Sequence, residues 1–302
     1  MATEPRLSVC LTFDFDALAV HLGIFGTQDS QSLSRGEFGP FAMPRILKLL
    51  ADYDIVATFF VPGHTALAYP DVLRRIHDEG HEIGHHGFVH EIPATLDETT
   101  ERKVFDLGME ALQKTIGVRP RGYRSPGPEF SPHTIDILVE NGMVYDATLS
   151  GSDFTPYYVR QGDTVSLDSV FQFGAPSSLV AIPFSWDLDD WVHLEFTAEW
   201  GPGKPCSAVE EIWRAEFDYA YANVPGGVFD LTMHPQVIGR GSRLEMLRRL
   251  IEHMSSRPGV VFESIITYAE RWRNAHPLEQ WRQEASVHVR ERNGGPAIHR
   301  ED

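Results

Sequence analysis

From end to end, the chain alternates short apolar runs with longer amphipathic stretches. LSVCLTF (7–13), IVATFFV (55–61) and GVFDLTMH (227–234) are rich in β-branched and aromatic residues and read as buried strands. HEIGH (81–85) and AIPFSW (181–186) read as shorter ones. Helical spacing occupies 43–53, 70–80, 96–117, 131–142, 207–222, 242–256 and 264–273. In 96–117, Val104, Leu107, Ala111 and Leu112 fall at helical spacing and Gly117 ends the run. Ser131 followed by Pro132 marks a helix start. Strand followed by helix, repeated, specifies a parallel sheet. The length of 302 residues and the number of units predict a closed or nearly closed α/β barrel rather than an open sheet. From about residue 275 the chain turns polar and charged, as an arm or tail.

Acidic residues outnumber basic ones, 43 to 26, and the net charge of -17 argues against holding a polyanion such as nucleic acid by bulk electrostatics. Two cysteines, Cys10 and Cys206, make no disulfide framework. The first residues lack a charged head before a long apolar run, and no apolar stretch is long enough to span a bilayer. The expectation is a cytoplasmic protein that binds neither membrane nor nucleic acid.

In parallel barrels, chemistry collects where strands end at their C-terminal side. Asp14 and Asp16, His85 and His86, Arg124, Trp186 and Asp187, and His234 all fall at such ends. Asp14 and Asp16, in FDFD, point to one side of a strand together. Two neighbouring carboxylates need a cation or a shared proton once desolvated; the bland reading is a solvated acidic turn. In GHEIGHHGFVHE (80–91), four of the 14 histidines crowd into ten positions. The spacing of His86 and His90 lets both rings reach one metal if the chain turns helically after the strand; the bland reading is core or surface histidines. Strand alternation leaves His81 and His85 as structural or supporting residues. Arg124 sits in a loop constrained by Gly122, Pro126 and Gly127, and beside Asp14 it would keep that carboxylate ionised. His234 reads as a general acid or base in this company, and as a core histidine without it.

Taken in order, FDFDA, HHGFVHE, RGYRSPG, IPFSW and LTMHP resemble the motifs of the polysaccharide deacetylase family (carbohydrate esterase family 4, with the NodB homology fold). The resemblance covers roughly 7–270 and is nearest to the D-x-D subgroup, which includes peptidoglycan deacetylase, cyclic imide hydrolases and allantoinase-like members. It implies a distorted (β/α) barrel of seven or eight parallel strands over 1–274, with 275–302 as tail. It implies one divalent metal ion, zinc being the expected one, held by Asp16, His86 and His90. Asp14 would be the catalytic base, Arg124 its partner, and His234 the general acid. Trp186 would line the groove beside His234. Gly127 stands where the family usually has an aromatic residue, which removes a stacking surface; its N–H is left as an oxyanion donor. Glu129, Tyr157 and Tyr158 are further candidates for substrate binding, and Asp153, Trp191 and Trp200 lie in segments long enough to cover the groove. The activity implied is removal of N-acetyl groups from an amino-sugar. The alternative is opening of a small cyclic imide or ureide, and a non-catalytic binding protein on the same fold is the third reading. The subgroup also implies a homo-oligomer.

Overall fold

A computed structural model describes residues 4–196 and 201–284. Trp200 therefore lies outside the described residues. The strands are β1 (Leu7–Asp14), β2 (Thr58–Val61), β3 (Glu82–His85), β4 (Gly122–Tyr123), β5 (Tyr145–Asp146), β6 (Tyr157–Gln161), β7 (Ala175–Ala181), β8 (Gly227–Met233) and β9 (Val260–Phe262). The helices are α1 (Ala19–Gly23), α2 (Ser30–Asp52), α3 (Gly63–Ala68), α4 (Pro70–Asp78), α5 (Glu98–Ile116), α6 (Thr134–Glu140), α7 (Asp190–Leu194), α8 (Cys206–Asn223), α9 (Pro235–Ile238), α10 (Gly241–Ser255) and α11 (Ile265–Ala275).

The sheet runs β6-β7-β5-β4-β3-β2-β1-β8, with β9 added to the start of β1. Every pairing is parallel except β6 with β7. All eight residues of β1 are buried, as a strand covered on both faces requires. The sheet curls into an incomplete barrel. Among the described residues β7 and β8 do not pair, and a single parallel bridge between Asp189 and Thr232 links the segment after β7 to β8. A distorted (β/α) barrel was the expectation, and this is one. The largest core cluster packs β1, β2 and β8 against α2, α4, α8 and α10 through residues such as Phe13, Phe59, Leu50, Trp213 and Leu250.

Three expectations need correction. The strand over AIPFSW stops at Ala181, and Trp186–Leu188 form a 3₁₀ turn instead. Pro183 has no N–H for a ladder, and Ser185 Oγ accepts from Asp187 N to start the turn. The helix expected at 43–53 begins thirteen residues earlier, at Ser30, capped by Asp29, which accepts from Ser32 N. It carries Pro40 and Pro44 inside it. The helix expected from 131 begins at Thr134, because Ser131 and Thr134 are drawn onto the buried Glu101 carboxylate. Residues 278–284 are helical, and Leu278 and Trp281 pack on the second core cluster.

Candidate active site

β1 ends at Asp14, and Asp16 follows two residues on, so both carboxylates leave the barrel on the same side. β3 delivers His86 in the same way. Its Nδ1 lies 2.8 Å from the Arg124 carbonyl, which can only accept, so Nδ1 carries the proton and Nε2 is left as a lone pair. Nε2 faces Asp16 Oδ1 at 3.4 Å, and His90 Nε2 faces the same oxygen at 3.6 Å. The chain does not turn helically to bring His90 there. Residues 86–92 form a loop with Gly87 and His90 at positive φ, 69° and 65°. Glu91 Oε2 ties it by accepting from Phe88 N and Val89 N, each at 3.0 Å. The N-terminal end of α3 holds it from the other side, with Gly63 N and His64 N donating to Gly87 O and Phe88 O.

Asp14 is held by Arg124, whose Nη1 donates to Oδ1 at 2.8 Å. The guanidinium is wholly inside. It also donates to Thr12 Oγ1, Ala147 O and Asp230 Oδ2, and lies 4.3 Å from the Phe60 ring centre. Burial works against the Asp14 charge, but Arg124, with His86 and His234 behind it, outweighs burial and holds its carboxyl below the usual range. Asp16 has no guanidinium beside it, and the His234 ring at 3.8 Å opposes its burial without matching it. Burial, with the Asp14 charge adding, pushes Asp16 well above the ordinary carboxylate value. The opposite trend governs His90 and His86, which burial keeps neutral and so able to ligate.

His234 follows β8. Its Nδ1 is 2.7 Å from Asp190 Oδ1, and Asp190 also accepts from the His234 backbone N–H. Nε2 is 3.9 Å from Asp14 Oδ2 and 3.8 Å from Asp16 Oδ2. Burial would lower its pKa, but the Asp190 hydrogen bond and charge, with Asp189 and Asp16 behind, raise it to about 10. At neutral pH it is an imidazolium aimed at the two carboxylates.

The structure thus brings together Asp14, Asp16, His86, His90, Arg124 and His234. The ligating atoms of Asp16, His86 and His90 all lie within 4.8 Å of one another. Asp16 Oδ1 and His86 Nε2 are buried and have no hydrogen-bond partner among the described residues. Two ligands at roughly 2.1 Å from a tetrahedral zinc ion stand about 3.4 Å apart, so the observed separations suit a cation better than a direct hydrogen bond.

Other expected residues stand elsewhere. Trp186 is 47% exposed, with its ring against Phe184. The aromatic beside His234 is Trp191, edge-on at 5.1 Å, one helical turn further along. Tyr158 is a core residue, its hydroxyl donating to His276 O and its ring packed on Trp272 and Trp281. Tyr157 OH accepts from Gly151 N, and the ring lines a cavity between β6, β7 and residues 281–284. Neither tyrosine touches the carboxylate–imidazole cluster. Gly127 sits at φ +88° in the loop after Arg124, facing Ile92, and Glu129 is exposed further along that loop. Asp153 accepts from Phe154 N. His85 and His81 are structural: His85 Nδ1 accepts from Gly87 N while Nε2 donates to Phe105 O, and His81 Nδ1 accepts from Ala57 N. Residues that sequence reasoning missed are Asp190, Asp189, Asp230, Thr12 and Gln236. The adjacent acids directly before Trp191, in LDDW, were the available signal.

An amine leaves carbon readily only when protonated. An imidazole held by Asp190 and a carboxylate held by Arg124, facing one another beside Asp16, His86 and His90, suit hydrolysis of a carbon–nitrogen bond. Comparison with known proteins agrees. The family model described as polysaccharide deacetylase matches residues 3–145. A Helicobacter pylori protein named peptidoglycan deacetylase is 35% identical over 296 residues, 93% of this chain and 100% of its own length. A crystal structure from Mycobacterium smegmatis, assigned to polysaccharide deacetylases, superposes with a TM-score of 0.79 at 34% identity, covering 100% of this chain and 96% of the other. The structure of PuuE allantoinase superposes with a TM-score of 0.76 at 25% identity, covering 92% and 93%. The chain belongs to the polysaccharide deacetylase family.

Proposed function

We propose that this protein is a divalent-metal-dependent amide hydrolase that removes the N-acetyl group from an amino-sugar. The observation that carries the reading is the pairing of two opposed proton carriers, Asp14 on Arg124 and His234 on Asp190, around the converging Asp16, His86 and His90. Those last three would hold the ion, and two nitrogens with one carboxylate oxygen suit zinc. Bound there, a divalent cation supplies Lewis acidity, acidifying a water and polarising the amide carbonyl.

The chain's own residues do the rest. Asp14, kept ionised by Arg124, takes the proton from the attacking water through Oδ2, since Arg124 engages Oδ1. His234 donates from Nε2 to the leaving nitrogen, since Nδ1 is committed to Asp190. Gly127 N–H, in the loop fixed by Arg124, is the proposed donor to the developing oxyanion. The enclosure of the cluster excludes bulk water and strengthens each of these interactions.

A second reading keeps the same chemistry and opens a small cyclic imide or ureide. The observation that favours it is the ring of Trp191 against His234, with Phe25 packed on Trp191 in turn, together with the likeness to the allantoinase structure. A cytoplasmic location and a homo-oligomer belong to the proposal as well, and sedimentation reads the latter. No helix among the described residues is long and apolar enough to cross a membrane. The test is to assay the zinc-loaded enzyme for acetate release from an N-acetylglucosamine oligomer and for ring opening of succinimide. Asp14→Asn should lose roughly 10²–10⁴-fold in turnover with its metal content kept. Full activity in that variant would remove Asp14 from its role.

A further inference from the structure

The reacting centre is enclosed within the chain: Asp16 is 0% exposed, His86 1%, His90 4%, Asp14 5% and His234 7%. Two segments meet beside it. One is the connection leaving α1, and the other is α7 with the two residues after it. They touch through aromatic rings. Phe25 lies over Trp191 with ring centres 6.3 Å apart and planes 17° from parallel, and Trp191 sets its edge against His234 at 5.1 Å. Phe25 also leans on His21, at 5.8 Å.

Both segments are anchored. Arg35 on α2 pairs with Glu195 and donates to Phe196 O. Gly23, at the end of α1, is so close to the His90 loop that a Cβ there would stand 2.0 Å from Val89 O and 2.4 Å from His90 O. The loop that carries a proposed metal ligand therefore also sets the place of Phe25. Yet Phe25 is 49% exposed, one of the larger apolar side chains left in solvent. With Trp191 and His21 as its ring neighbours, Phe25 still leaves about half of its surface in solvent and contributes little to the core.

We infer that Phe25 is a specificity-determining residue: paired with Trp191, it gates the leaving-group side of the centre and admits a small ring or a chain end, not the interior of a polymer. The inference rests on the proposed function for the placement of the leaving nitrogen at His234 Nε2. Trp191 flanks that same imidazole, so the group bearing the nitrogen lies along Trp191 and beneath Phe25. Aromatic faces suit the C–H face of a sugar or a flat imide. An interior sugar has neighbours on both sides, and one of them would have to occupy the place of the Phe25 ring.

The test measures binding, not turnover, by isothermal titration of succinimide, N-acetylglucosamine and chitohexaose into wild type, Phe25→Ala and Phe25→Tyr. Wild type should bind one of the small rings at least about tenfold more tightly than the hexamer. In Phe25→Ala the loss of a stacking ring should weaken that small ring by roughly 2- to 10-fold, while the hexamer tightens. Phe25→Tyr keeps the ring and should match wild type. The same small-ring-to-hexamer ratio in wild type and Phe25→Ala overturns the gate, as does a wild type that binds the hexamer as well as the small rings, or binds none of the three. A moved ratio in a protein that hydrolyses no amide would retire the hydrolase reading and keep the gate. Hydrolysis with an unmoved ratio would do the reverse.

Discussion

Replacing Arg124 with methionine leaves two buried carboxylates without the cation they share. Arg124 Nη1 and Nη2 reach Asp14 and Asp230 at 2.8 and 2.7 Å, and the three side chains are 2%, 7% and 0% exposed. Methionine fills much of the stem's volume, so the loss is mainly electrostatic. Breaking a buried pair by removing one partner costs about 3–5 kcal/mol. Set against the roughly 5–15 kcal/mol that holds a domain together, that is a large share. The cost depends on pH. Asp230 stands at about 6 even with Arg124 present, because burial outweighs the guanidinium, while Asp14 is held low by it. Without Arg124 both carboxyls rise. A buried acid with a raised folded pKa weakens the fold only where it is ionised, so the penalty is full above that pKa and fades as pH falls through it. In wild type only Asp230 fades in this way, from about 6, and the Asp14 contribution is lost only below the ordinary carboxylate range. The deficit of Arg124→Met should therefore be about 3–5 kcal/mol at pH 8 and clearly smaller at pH 5. Urea unfolding at both pH values, followed by tryptophan fluorescence with a chelator present in every sample, measures it. A deficit under about 1 kcal/mol, or one equal at both pH values, would refute the shared-cation account.

Asp190→Asn removes the main group raising the His234 pKa, so the alkaline limb of the pH–rate profile should move to lower pH than in wild type. An unmoved limb would detach Asp190 from the proton donor. His85→Phe strands Gly87 N and Phe105 O, which should cost roughly 2–4 kcal/mol in unfolding experiments. Its zinc affinity should stay near that of wild type, and a lost metal site would move His85 into the ligand set.

The strand ends were legible in the sequence because an apolar strand that stops at a charged residue declares both the strand and its outlet. Asp14, Asp16, His86 and His234 were readable for that reason. The partners of these residues were not. Asp190 meets His234 across 44 residues, and Asp230 meets Arg124 across 106, and no periodicity reports such pairings. Asp230 lies inside β8, where its character reads as an interruption of an apolar run. Trp191, not Trp186, stands beside His234, although 181–186 has the composition of a strand. Pro183 and the Ser185 turn end the ladder early, and the next helical turn brings Trp191 to His234. The spacing of His86 and His90 suits one metal if the chain turns helically, and the loop with two left-handed residues found instead depends on Glu91 and on α3, which only the fold brings near.

The proposed hydrolysis depends on Asp16, His86 and His90 forming one metal site. Its most direct test is metal content by elemental analysis after zinc loading and desalting, in wild type and in Asp16→Asn and His86→Ala. The expected result is about one zinc per wild-type chain, as three ligands with an open position imply, and far less in either variant. A wild-type chain that retains no metal after loading, or variants that retain as much as wild type, would contradict it.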